Sequence, residues 1–366
     1  MDRLSLPNGS TAVDVGIIDS TARLTVPAAH LLAPTTGLDN LTLTAPSYSF
    51  LIQHPTGRKV LFDLGLRKDW WNLTPSTAHF LRTSGWKLEA AKNVSEILQG
   101  NGESLSAVEA VIWSHHHFDH VGDITTFPAT THIIVGPGFT DHYTPGYPTN
   151  PASTLLEAEW QDRTLHELSF QNAPPLKIGS FDAIDFFGDG SFFLLDAPGH
   201  TFGHVAALAR VAADEQDAAS NSFVFMGGDT CHFSAQLRPS VSRPLPVDYT
   251  SGAQDSASAS ASVPSVPACP GAIMDRLLAN PAQPLFEMPA ANTVDVTEAH
   301  ASIGKMQAFD AADNVWVVIA HDQSLLDLVE FYPATVNDWQ VKKYAERTRW
   351  RFWNTLKRRT SDPKLA

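Results

Sequence analysis

The stretch Ala110-Val111-Ile112-Trp113-Ser114-His115-His116-His117-Phe118-Asp119-His120-Val121-Gly122 sets a fully apolar run directly against a cluster of imidazoles and one carboxylate. Four consecutive apolar residues predict a buried strand. Beyond its end, His115 and His117 lie two positions apart, so on extended backbone both side chains leave the same side of the chain and can converge on one cation. Asp119 and His120, past the bend, can turn toward a second. Imidazole combined with carboxylate is the usual zinc environment. The competing reading, a set of surface or helix-capping histidines, does not explain why the cluster sits at the mouth of a buried strand.

Outward from this segment, the first half of the chain reads as short apolar runs separated by turn residues. Strands are predicted at Ala12 to Ile18, Ala22 to Val26, Tyr48 to His54 and Lys59 to Asp63, the last two joined as a hairpin by Pro55-Thr56-Gly57. A helix is expected from Leu88 to Leu98, where Ala91, Val94, Ile97 and Leu98 recur at helical spacing ahead of Gly100. A second series gives strands at Phe192 to Asp196, Val205 to Val211 and Ser222 to Met226. Ser251 to Ala268, rich in Ser, Ala and Pro, reads as a flexible surface insertion. Val296, Ala299, Ile303 and Met306 mark one helix face, and Val315 to Ala320 is a buried strand. Trp339 to Leu356 is expected to form a terminal helix, within a helical extension spanning about residues 336–358. Strands alternating with helices in both halves argue for an α/β layered architecture, read as a single domain over residues 1–366.

Composition narrows the function classes. With 43% hydrophobic and 17% charged residues the chain is expected to fold as a globular protein. Its 39 acidic against 25 basic residues give a net charge of -14, a repulsive mean field for a polyanion. Nucleic acid is therefore not expected as a partner, and a small-molecule substrate is. Two cysteines, Cys231 and Cys269, are too few for a thiolate zinc site, so any metal must be held by imidazole and carboxylate. The start, Met1 to Val13, lacks a signal-peptide core and no apolar run is long enough to span a bilayer, so no membrane partner and a cytoplasmic location are expected. No motif points to an oligomeric state.

Ser114 to Gly122 resembles the signature of the metallo-β-lactamase superfamily, which implies an αββα sandwich carrying two zinc ions at the sheet edge. The resemblance implies further ligands in a fixed order. Pro198-Gly199-His200-Thr201 matches the next motif, so His200 would complete the first site with His115 and His117. His204 falls on a position that is usually structural. Gly228-Asp229 matches the motif whose carboxylate bridges both metals, and His321, after Val317-Val318-Ile319-Ala320, would finish the second site with Asp119 and His120. Singly, His200 reads as a turn residue, Asp229 as a helix N-cap and His321 as a core histidine. Asp63, in Val60-Leu61-Phe62-Asp63-Leu64-Gly65, matches an acid that orients the ligand loop.

By the same resemblance, a water shared by the two zinc ions would be ionised near neutral pH and attack a carbonyl, with Asp119 and His232 as the catalytic side chains. His232 stands where the lactonase branch has a Tyr beside the leaving group. Phe118 between His117 and Asp119 is similar to the quorum-quenching lactonases, which points to a lactone, with a lactam or cyclic carbamate as neighbour. Trp70 and Trp71 are candidate walls of an apolar pocket. A thioesterase of the hydroxyacyl-glutathione or polyketide-release kind is the alternative. An iron-dependent dioxygenase or oxidoreductase ranks below it, since the diiron relatives place a Glu where this chain has His117.

Overall fold

Buried strands that are apolar on both faces need cover on both sides, and this chain supplies it with helices outside and a second sheet inside. The computed structural model describes residues 4–36, 38, 41–214, 221–246 and 279–357. The first sheet contains β1 (Asp14–Pro27), β2 (Thr42–Gln53), β3 (Lys59–Phe62), β4 (Lys87–Glu89), β5 (Val108–Ile112), β6 (His132–Val135) and β7 (Leu165–Glu167), in the spatial order β4-β1-β2-β3-β5-β6-β7. The second contains β8 (Lys177–Ile178), β9 (Phe181–Asp185), β10 (Phe192–Asp196), β11 (Val205–Ala212), β12 (Ser222–Met226) and β13 (Val315–Val318), in the order β13-β12-β11-β10-β9-β8. The helices are α1 (Pro75–Thr83), α2 (Val94–Gly100), α3 (Phe118–Val121), α4 (Phe139–Tyr143), α5 (Val296–Ala311), α6 (Tyr344–Arg349) and α7 (Phe352–Lys357).

Alternation along the strands sorts side chains into three apolar layers. Phe50, Ile52, Phe62 and Ile112 of the first sheet meet Phe192, Leu194, Val224 and Trp316 of the second between the sheets. Their neighbours in sequence point outward: Leu51, Leu61 and Val111 pack with Leu98 and Phe139 of the helices on one side, while Phe193, Leu195 and Phe225 pack with Ile303, Met306 and Phe309 of α5 on the other. The result is the αββα sandwich. Among the described residues no helix is long and apolar enough to cross a membrane.

The hairpin at Pro55-Thr56-Gly57 forms as expected, with Gln53 opposite Lys59 and Gly57 at φ +92°. Three other expectations change. Ala12 to Ile18 and Ala22 to Val26 belong to one strand, β1, because the Asp19 carboxylate takes both the Thr21 N–H and the Arg23 guanidinium and so absorbs the irregularity between Asp19 and Arg23 as a bulge. The helix expected from Leu88 starts at Val94: Leu88 pairs with Leu24 at the edge of β1, and the Glu96 carboxylate accepts the Asn93 N–H at 2.9 Å to cap the later start. The terminal helix is broken into α6 and α7. Trp339 and Tyr344 bury against Trp316, whereas Phe352 and Trp353 bury in a separate cluster around Phe233 and Phe286, and one straight helix cannot serve both. The insertion at residues 251–268 and position 358 lie outside the described residues.

Candidate metal centre

β3 runs parallel to β5, and β12 parallel to β13, so within each pair the two strands release their C-terminal residues at the same end. Asp63 follows β3, His115 to His120 follow β5, Asp229 follows β12 and His321 follows β13, while His200 comes from the turn between β10 and β11. The loops are laced by backbone hydrogen bonds. Val205 N–H donates to Ser114 O at 2.9 Å, Leu64 N–H to His120 O at 2.7 Å and Ala320 N–H to Gly228 O at 3.2 Å.

All seven expected side chains converge. One ligand atom each from His115, His117, His200 and Asp229 lies within 4.8 Å of the others, and Asp119, His120 and His321 form a second such group. Asp229 stands between them. Its Oδ1 is 3.2 Å from His321 Nε2, and its Oδ2 is 3.3 Å from His120 Nε2 and 3.7 Å from Nε2 of both His115 and His200. His200 Nε2 is 3.1 Å from His117 Nδ1, and His321 Nε2 is 3.6 Å from Asp119 Oδ2.

The outer nitrogens of His115, His120 and His321 are anchored, which leaves their inner ones free to bind. His120 Nδ1 donates to Asp63 Oδ2 at 2.8 Å, and His321 Nδ1 donates to Pro46 O at 2.7 Å. Ser114 passes the effect of Asp63 to a third ring: its hydroxyl donates to Asp63 Oδ2 at 2.8 Å and accepts from His115 Nδ1 at 3.0 Å. Asp63 is thus the second-layer acid that the motif suggested, and Ser114 is a partner that the motif contains but sequence reasoning passed over. Replacing Asp63 with Ala is expected to weaken metal retention by about 10- to 100-fold. Competition with a chromophoric chelator measures it, and retention equal to the wild type would remove this role.

His204 occupies a different position. Its Nδ1 donates to Ala197 O at 2.9 Å and its Nε2 accepts the Asp229 N–H at 3.0 Å, so both nitrogens are used in holding the Asp229 backbone.

The electrostatics fit a cation. Burial, reinforced by neighbouring imidazoles, pushes His115 and His200 well below the ordinary histidine range, and burial lowers His117 as well. For His120 and His321 burial also opposes charge, but Asp229, with Asp63 beside the first and Asp119 beside the second, prevails and raises both. Burial would raise the Asp229 carboxyl, yet His120, His321 and His232 draw it well below its usual range. His115 Nε2, His120 Nε2 and Asp229 Oδ1 are buried with no hydrogen-bond partner among the described residues. Each such atom costs roughly 1–3 kcal/mol if left unsatisfied. Imidazoles facing inward around a buried carboxylate, three of them kept neutral by burial and two drawing protons where a cation would sit, are the donor set that a divalent transition metal satisfies.

His117, Asp119, His200, Asp229 and His321 of the cluster line a cavity of about 690 Å³. Leu24, Val26, Leu31, Phe80, Trp86 and Phe118 give it an apolar wall, and His116, His142, Tyr143, Phe202 and His232 line it as well. Trp70 and Trp71 do not line it. Trp70 packs against the Leu24 and Leu66 cluster, and Trp71 is exposed and stacks edge-on against Trp70. The tryptophan that walls the cavity is Trp86, in the loop before β4, where no local pattern marks it.

Comparison with known proteins agrees with this geometry. Residues 44–210 match the family described as Metallo-beta-lactamase superfamily. A Fusarium pseudograminearum protein named Gamma-lactamase FDB1 is 40% identical over 359 residues, covering 95% of this chain and 83% of its own length. A Penicillium brevicompactum protein named Cytochrome P450 monooxygenase mpaDE' is 41% identical over 360 residues, covering 96% of this chain, which spans only 38% of that relative's length. The crystal structure of a B. thuringiensis AiiA mutant with N-decanoyl-L-homoserine at its active site shares the fold, with a TM-score of 0.55 at 15% identity over 90% of this chain and 100% of that one. The αββα sandwich, with histidines and aspartates gathered at one sheet edge, is the class of fold that these matches share with this chain. This chain belongs to the metallo-β-lactamase superfamily.

Proposed function

We propose that this chain opens a small cyclic ester or cyclic amide at a centre holding two zinc ions. The observation that carries the reading is Asp229, a single buried carboxylate that reaches both ligand groups and lines a largely apolar cavity. His115, His117 and His200 would hold one ion and Asp119, His120 and His321 the other, with Asp229 shared. When bound, such a pair supplies Lewis acidity and makes hydroxide available near neutral pH.

The chain's own residues do the rest. The wall of Leu24, Val26, Phe80 and Trp86 takes the apolar body of the ring and excludes water from its carbonyl. Asp119 faces the cavity and offers a carboxylate to take up a proton. His232, with Nε2 3.4 Å from Asp229 Oδ2, is held in place because its backbone N–H donates to Gln236 Oε1 at 2.8 Å. Burial pushes its pKa down to about 4, so at neutral pH the ring is uncharged and its N–H can donate to the departing oxygen or nitrogen. Replacing His232 with Phe is expected to leave the metal content intact and lower turnover by about 10²-fold. Unchanged turnover would remove His232 from the reaction.

A lactam is kept beside the lactone because a relative sharing 40% identity is named a gamma-lactamase. The reading is tested by incubating a γ-lactone, a γ-lactam and a glutathione thioester with the zinc-loaded protein and with its His117→Ala variant, alongside metal analysis. Ring opening by the wild type, with two zinc per chain and loss of activity in the variant, is the expected result. Iron in place of zinc, cleavage of the thioester alone, or equal activity in the variant would overturn it.

A further inference from the structure

The short helix α4 touches both loops that shape the centre. Its last two residues are aromatic and each stacks flat on a different loop. Tyr143 lies on His116 with ring centroids 3.9 Å apart and planes at 17°, and His142 lies on Phe202 at 3.5 Å and 3°. His116 sits between His115 and His117, and Phe202 is two residues beyond His200. The other end of α4 is pinned: the Glu167 carboxylate accepts the backbone N–H groups of Gly138 and Thr140, each at 2.7 Å, and the Thr140 hydroxyl at 2.5 Å. A helix of five residues is thereby held against the centre without needing stability of its own.

This arrangement fixes one ring. Tyr143 lines the same cavity as Asp229 and His232. Burial pushes its pKa up to about 12, so its hydroxyl keeps its proton at neutral pH. A ring clamped on one face, on a helix pinned at its other end, has little freedom to lose when a ligand binds. We propose that Tyr143 is a substrate-positioning hydrogen-bond donor, its ring fixed by His116 and its hydroxyl directed at the carbonyl or ring heteroatom of the bound substrate. The assignment rests on the ring-opening reading above.

Tyr143→Phe tests it, because the aromatic stack survives and only the hydroxyl is lost. In the zinc-loaded protein, kcat/KM for whichever γ-lactone or γ-lactam the wild type opens is expected to fall about 10- to 100-fold. Calorimetric binding of the ring-opened product, 4-hydroxybutyrate or 4-aminobutyrate, is expected to weaken about tenfold, with melting temperature and metal content unchanged. His116→Leu, which removes the flat surface and keeps the hydroxyl, should give a smaller loss that His116→Phe partly restores. Wild-type kcat/KM and product affinity in Tyr143→Phe would overturn the assignment while leaving the ring-opening reading intact. A wild type that opens no ring in the panel would overturn that reading and the assignment with it.

Discussion

Asp229→Ala is expected to lose its tightly held metal on dialysis and to lower ring opening by about 10³-fold or more. Among the described residues Asp229 is the one carboxylate that approaches five imidazoles, those of His115, His120, His200, His232 and His321, at 3.2 to 3.7 Å. Asp119 cannot replace it, since it pairs with His120 and His321 on one side of the cluster, at 4.0 and 3.6 Å. The substitution also has a signature in metal-free protein. His120 and His321 hold protons more tightly in the folded chain because of Asp229, so their contribution to stability is fully present below the ordinary histidine value of 6.5 and is lost as pH rises through their raised folded values. Asp229, whose folded value is depressed, contributes above the ordinary aspartate value of 3.8 and loses that contribution as pH falls through its folded value. Metal-free Asp229→Ala should therefore be destabilised more at about pH 5.5 than at about pH 9. Metal analysis after dialysis, turnover and urea midpoints at the two pH values check the expectation. Two retained metal ions with near wild-type turnover would show that Asp229 is not the shared ligand.

The part of the centre legible from the residues alone is the cluster His115 to His120, because a strand buried on both faces reads as a continuous apolar run whose end is sharp. Asp63, His200, Asp229 and His321 each allow an ordinary structural reading when taken singly, and it is the resemblance, with its fixed order of motifs, that gathers them into one centre. The cavity wall has no such marker. Trp86, Phe80 and Tyr143 lie on loops and short helices whose positions depend on which strands pair, and nothing local separates Trp86, which lines the cavity, from Trp71, which does not. The same cause moved the start of α2. Leu88 fits the helical spacing of Ala91, Val94 and Leu98, but edge pairing with Leu24 takes it into β4 instead. The two halves of the C-terminal segment likewise follow their aromatic partners, Trp316 for Tyr344 and Phe233 for Phe352, and those partners are distant in sequence.

Gly199→Ala is expected to cost at least about 4 kcal/mol of stability, enough in many proteins of this size to prevent accumulation of folded chain. The position combines two demands. At φ +122° the backbone adopts a conformation that a residue with a Cβ rarely takes, and the added carbon would lie 2.1 Å from Ala299 N and 2.4 Å from its Cα, both backbone atoms of α5. Flexible side chains can yield to such an intrusion, but a helix backbone can do so only by moving as a unit. Here α5 is fastened to the same loop: Asp295 N–H donates to Gly199 O at 2.9 Å, Val294 N–H to His200 O at 3.0 Å and the Ser302 hydroxyl to Pro198 O at 2.7 Å. Any displacement that admits the methyl group must break these bonds and carry His200 away from His117 and Asp229. Loss of stability and loss of metal should therefore appear together. Gly57→Ala supplies the control, because Gly57 has φ +92° in the hairpin turn and nothing within 4 Å of an added Cβ, so its cost should stay near 1–2 kcal/mol. Urea midpoints and metal content of the two variants separate backbone strain from collision. A Gly199→Ala protein as stable as Gly57→Ala would mean that α5 is free to move and does not fix the His200 loop.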